Sequence, residues 1–256
     1  ANSSVSREYH AGQATMAGTD AARAAQKGYT GELGIFEALK GFCAVFGGDV
    51  GSSDGITPAQ GQEWDIVTDM AVKLVPGGHH YHAMAEAAAN AATEGDIGPD
   101  GIAAIIVSVP GMTALTPPLH PANLIDMAHS PAYFTAAGAV DRTFGWANAS
   151  PEKIADPAIH RVIDRVRIGP EPVENVAAYR QGATVTIETT DGRSVTNTVH
   201  VPHGAGMLGI DWADIDTKYQ ALAPQALNDR QVADSLALIH DLRLVSEVSV
   251  LIDCLR

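Results

Sequence analysis

The sequence predicts an α+β fold, in which mainly helical segments at both ends are interrupted by an α/β insert containing a β-hairpin. Three observations predict it. Stretches rich in helix formers, with small or apolar residues at helical spacing, occupy both ends. The β-branched run Ile102-Ala-Ala-Ile-Ile-Val-Ser-Val lies between them. Two alternating segments flank Asp191-Gly192, the strongest short-range hairpin signal. The expected division is a helical part over residues 1–61, an α/β domain over 62–202 and a return to helix over 203–256.

In order along the chain, Ser6-Arg-Glu-Tyr-His10 precedes a helix expected from Gln13 to Lys27, with Gly28 as its stop. Glu32 to Leu39 reads as a short second helix. The polar, glycine-containing segment from Asp49 to Gly61 is the best boundary in the chain. Ile66 to Val75 reads as a strand carrying Lys73, and His80 to Thr93 as a helix. Ser130 is an N-cap with Pro131 at the first helical position, opening a helix to about Val140. Asp156-Pro157 repeats that start in a helix running into Val166-Arg-Ile. After the hairpin, helices are expected over Trp212 to Leu222, Asp229 to Leu242, and a final run to Leu255.

Composition narrows the function. An apolar fraction of 46% and a charged fraction of 18% fit a globular protein. The abundance of alanine and glycine predicts close helix packing through small residues. A net charge of −14 without any basic run disfavours nucleic acid as a partner, while leaving room for a local cationic pocket. No run is long enough to span a membrane, and Ala1-Asn-Ser-Ser-Val-Ser lacks the features of a signal peptide. The cytoplasm is therefore the expected location. Cys43 and Cys254 are expected as two buried, reduced thiols.

Candidate chemistry concentrates in Lys73-Leu-Val-Pro-Gly-Gly-His-His-Tyr-His82, which leads into the alanine-rich helix. Glycines admit close backbone approach, and a helix N-terminus favours anions. Lys73 is a lysine in water, a carboxylate anchor, or a base if burial lowers its pKa. His79, His80 and His82 stand at i, i+1 and i+3, so at most two share a helical face, and no nearby residue completes a metal set. Acid–base work by one histidine is the better reading, since imidazole titrates near neutrality. Capping or surface placement accounts equally for Arg7, His10 and the His129-Ser130 pair. A nucleophile elbow, a P-loop and a complete dinucleotide fingerprint are all missing from the sequence.

Taken together, these motifs resemble the MmgE/PrpD family, which includes 2-methylcitrate dehydratase, cis-aconitate decarboxylase and iminodisuccinate epimerase. Tyr9-His10-Ala-Gly-Gln-Ala with Gly28-Tyr-Thr-Gly, Lys73 to His82 with Glu86-Ala-Ala, and His129-Ser-Pro-Ala-Tyr133 carry the likeness. Asp156-Pro, Asp191-Gly and Pro202-His-Gly follow in the family's order. The resemblance implies a helical domain interrupted by an α/β lid, an active site between them, and homodimerisation or association with a chain supplying an N-terminal helical half.

It also implies a cofactor-independent lyase of dehydratase or decarboxylase type, acting on a small di- or tricarboxylate by α-proton abstraction, with an epimerase of a dicarboxylate or a non-catalytic subunit as alternatives. By that analogy Lys73, His82 and Tyr133 line the pocket from the lid side and His10 approaches from the helical side. Arg7, Gly77, Gly78, His129 and Ser130 fall at substrate-binding positions. Two departures stand out. Arg7 replaces a family lysine, keeping the charge but not the capacity to act as a base. A long N-terminal helical portion of the family pattern has no counterpart here.

Overall fold

The computed structural model describes residues 6–47, 63–64, 71–205 and 210–256, with the side chains of Arg7 and Glu8 outside the description. Among the described residues there are ten α-helices and one four-stranded sheet, in agreement with the α+β expectation. None of those helices is long and apolar enough to cross a membrane. The chain divides into two compact units at Met70/Ala71.

The first unit is built on α1 (Ser6–Gln26), a long and largely exposed helix. It ends as the sequence predicts. Tyr29 N–H donates to the Ala24 carbonyl at 3.1 Å and Gly28 N–H to Ala25 at 2.9 Å, with Gly28 at φ +91°. This is a Schellman closure, which needs a left-handed residue where glycine costs nothing. Its start is earlier than expected, so His10 and the Arg7 backbone lie within the helix rather than ahead of it.

Glu32 to Leu39 forms turns instead of a helix. Eight residues interrupted by Gly34 cannot offset helix nucleation without a packed face, and Leu39 is 98% exposed. A short helix follows, α2 (Phe42–Gly47). The predicted boundary from Asp49 to Gly61 lies outside the described residues.

The second unit holds the core. The long helix α3 (His82–Glu94), entered through a single 3₁₀ turn at His79–Tyr81, is buried nearly all round. It packs on α5 (Pro131–Asp141), which follows the short α4 (Leu124–Met127). Fully buried alanines line both helices, Ala83, Ala87, Ala88 and Ala91 on one and Ala132, Ala136 and Ala137 on the other. The predicted caps are present: Ser130 Oγ accepts from Tyr133 N–H at 3.1 Å, and Asp156 from Ala158 N–H at 2.8 Å. Between them lies α6 (Pro151–Ile154), and Asp156 opens α7 (Pro157–Ile163).

The sheet order is β2-β1-β3-β4, from β1 (Ile102–Ser108), β2 (Val166–Ile168), β3 (Ala183–Thr189) and β4 (Ser194–Val199). The hairpin β3–β4 forms as predicted, with Gly192 at φ +85° in its turn. Val166-Arg-Ile differs from expectation: it is a strand paired parallel to β1, not a continuation of helix. Ile102, Ile105, Val107, Val185 and Ile187 are buried on the sheet, and α3 packs against β3 and β4. The other face is polar, with Thr184–Thr198 and Thr186–Thr196 hydroxyl pairs at 2.8 Å across the hairpin register.

After the hairpin come α8 (Trp212–Leu222), α9 (Asp229–His240) and α10 (Ser249–Cys254). A capping box between Asn228 and Gln231 starts α9. Tyr219 meets Ser235 at 2.7 Å and His240 meets Asp216 at 2.9 Å, tying α8 to α9. Cys43 and Cys254 are free and only partly buried, where full burial was expected.

Candidate active site

A cavity of about 240 Å³ opens on one face of α3. His82, Glu86 and Asn90 line it, at i, i+4 and i+8, the polar stripe of an otherwise alanine-buried helix. Opposite them are Arg142 and Phe144, just past the end of α5, and His203 in the loop after β4. Glu86 organises that loop: its Oε2 accepts the His203 backbone N–H at 3.0 Å. The His203 imidazole donates from Nε2 to Asp214 Oδ1 at 3.1 Å. Asn90 donates to Asn197 of β4 at 3.3 Å.

His82 is the singular group here. It is only 3% exposed, and neither ring nitrogen has a hydrogen-bond partner of normal geometry. Burial, then the neighbouring His79 and the Lys73 ammonium, lower its pKa to about 4, and the Gly77 and Pro76 carbonyls oppose this only in part. His82 is therefore neutral at physiological pH and able to accept a proton. Its ring stacks at 6.0 Å on Phe134, which in turn stacks on Phe144. His79 lies 4.8 Å away with a buried Nε2 that is also unpartnered, so it belongs beside His82 more than the sequence suggested. His80 is exposed.

The other residues singled out from sequence are distributed as follows. Lys73 is exposed and irregular in backbone, not on a strand; it flanks Leu74 and Val75 at the cavity wall. The earlier part of that expected strand, residues 65–70, lies outside the described residues.

Gly77 and Gly78 serve packing. A Cβ on Gly77 (φ +85°) would sit 2.4 Å from the Phe134 ring, and the Gly78 N–H already donates to the Ala128 carbonyl at 2.9 Å. The Gly78 N–H is therefore not the anion donor expected. Ser130 is fully buried, its hydroxyl donating to the Leu119 carbonyl at 2.9 Å while capping α5. His129 meets the Ile125 carbonyl through Nδ1 at 2.8 Å. His10 is an exposed residue of the first unit, and the Arg7 side chain lies outside the described residues.

Tyr133 is fully buried, and its hydroxyl donates to the Asn148 carbonyl at 2.8 Å. Burial, reinforced by Asp141 and Asp156, raises its pKa further above the normal phenol value, so it stays protonated. The structure thus gives Tyr133 a structural partner in place of a substrate. Tyr133→Phe should lower stability by about 1–2 kcal/mol, the cost of orphaning one buried carbonyl, measured by urea denaturation, and leave activity within about twofold.

Residues that sequence reasoning did not assign are Glu86, Asn90, Arg142 and His203. The i, i+4, i+8 stripe was a readable signal for the first two. His203 stands in the Pro202-His-Gly motif, to which no role was assigned, whereas no local pattern marks Arg142.

Residues 75–244 match the family model described as MmgE/PrpD C-terminal domain. No curated protein matches the chain.

Proposed function

The chain belongs to the MmgE/PrpD family of dehydratase-type enzymes, and from that premise we propose that it is a cofactor-independent lyase removing an α-proton from a small di- or tricarboxylate. The observation that carries this reading is His82, buried and unpartnered at the wall of a cavity. A buried imidazole whose ring nitrogens find no hydrogen-bond partner of normal geometry costs stability.

In the proposed reaction His82 takes the proton from the carbon alpha to a carboxylate. The electron pair of that C–H bond becomes the new double bond as a β-hydroxyl, protonated by solvent, departs as water. The basicity of His82 is coupled to the substrate. Burial and nearby positive charge hold its pKa at about 4, too low for an efficient base at neutral pH. A bound carboxylate offsets the Lys73 charge and adds a negative neighbour, both of which restore basicity. Lys73, at the exposed lip, would hold one carboxylate of the substrate.

The volume agrees with a small acid: 240 Å³ is the room of about eight water molecules at roughly 30 Å³ each. The test is exchange in heavy water. Deuterium should enter the alpha position of a hydroxy-di- or tricarboxylate together with net elimination, and Lys73→Ala should slow both by at least about tenfold. Exchange without elimination would assign an epimerase working through the same first step. Absence of exchange across a panel of such acids would overturn the reading.

A further inference from the structure

We propose that Arg142 is the carboxylate-recognition residue of this cavity and that Asp96 is its resting partner, displaced when a carboxylate binds. The proposal rests on the reading of the cavity as a carboxylate site and adds how that site captures its ligand. Among the described residues lining the cavity, Arg142 alone carries a permanent positive charge. Glu86 is occupied by the His203 backbone, and His82 is neutral. A guanidinium can bind a carboxylate through two parallel N–H donors, which fixes orientation as well as charge.

The backbone at this position supports a functional reason for arginine. Arg142 closes α5 in the left-handed conformation, φ 55° and ψ 22°, where glycine or asparagine is favoured and a long side chain is strained. Its partner Asp96 is also left-handed, at φ 46°. Two strained residues thus meet in one ion pair, Nη2 to Oδ1 at 2.9 Å.

That pair is weak by position. The Asp96 side chain is 90% exposed and that of Arg142 39%, and ion pairs so open to water contribute little. Asp96 therefore pairs with the guanidinium without holding it firmly. A carboxylate inside, less screened by water, competes for the same Nη2 donor with the advantage of two-point contact.

Tricarballylate, titrated calorimetrically against the intact chain, tests this. The wild type should bind it saturably. Arg142→Gly should weaken binding by at least tenfold while its melting temperature stays equal or rises, because glycine relaxes the left-handed backbone. That separation of binding from stability is not expected of a structural arginine. Arg142→Lys should fall between, and Asp96→Asn should bind as tightly as wild type or tighter.

Unchanged affinity in Arg142→Gly, a matching loss in Asp96→Asn, or no saturable binding to the wild type would each overturn the proposal. Deuterium exchange separates it from the lyase reading. Exchange that survives Arg142→Gly with unchanged affinity leaves His82 as the base and removes Arg142. Binding lost in Arg142→Gly, with no exchange in the wild type, keeps Arg142 and removes the lyase.

Discussion

Replacing His82 with leucine is expected to abolish α-proton exchange, by a factor of about 10²–10⁴, while making the protein about 1–2 kcal/mol more stable at pH 7. The two effects have one cause. His82 is only 3% exposed, stacked on Phe134 at the cavity wall, and neither ring nitrogen has a hydrogen-bond partner of normal geometry. Leucine fills much of the same space without a polar group to desolvate. A residue whose loss stabilises the fold is retained for another reason, as expected where activity and stability compete.

The acid dependence of stability gives a second measurement on the same residue. Folding lowers the His82 pKa from about 6.5 to about 4. Between these values the unfolded chain binds more protons than the folded one, so stability falls as pH drops from 6.5 towards 4 and loses nothing more from this group below that. The loss is on the order of 2–3 kcal/mol. His82→Leu should remove it, so that urea midpoints of variant and wild type diverge as pH falls from 7 to 4.5. Parallel midpoints across that window would show that His82 is not desolvated as described. Full retention of exchange in the variant would end its assignment as the base.

Much of this architecture was readable from local signals, because its caps and turns are local chemistry. Gly28, Ser130, Asp156 and the Asp191-Gly192 turn each act within a few residues of themselves, and each is found where it was read. The departures share a different origin. Val166-Arg-Ile is too short to show alternation and is a strand only because β1 lies beside it. Ser130 and Tyr133 stood in motif positions, yet their hydroxyls are spent on Leu119 and Asn148 carbonyls brought near by the fold. Arg142 could not be found from its neighbours: a left-handed arginine at a helix end contradicts local preference. His82 lay between these extremes, with its location legible but its isolation from partners a property of the packed core.

The packing that places both walls of the cavity depends on one glycine. A Cβ built on Gly138 of α5 would lie 2.3 Å from the Ala85 carbonyl oxygen and 3.0 Å from its carbonyl carbon and Cα. These are backbone atoms of α3, which cannot rotate aside as a side chain would, so the helices must separate. Gly138→Ala gains about 1 kcal/mol of helix propensity. Against this stand the lost contacts of the facing alanines and strain in a core packed to crystal-like density, which together exceed that gain. A net loss of about 2–4 kcal/mol is expected, read from the urea midpoint, a large share of the 5–15 kcal/mol typical of a domain.

The same displacement moves His82 and Glu86 on α3 relative to Arg142 at the end of α5. A shift near 1 Å is enough to cost about a hundredfold in rate, so exchange should fall even in the folded fraction. A Gly138→Ala protein as stable as wild type would mean that the two helices do not approach at backbone distance. The alignment of the cavity walls would then have to come from the loops, not from α3 against α5.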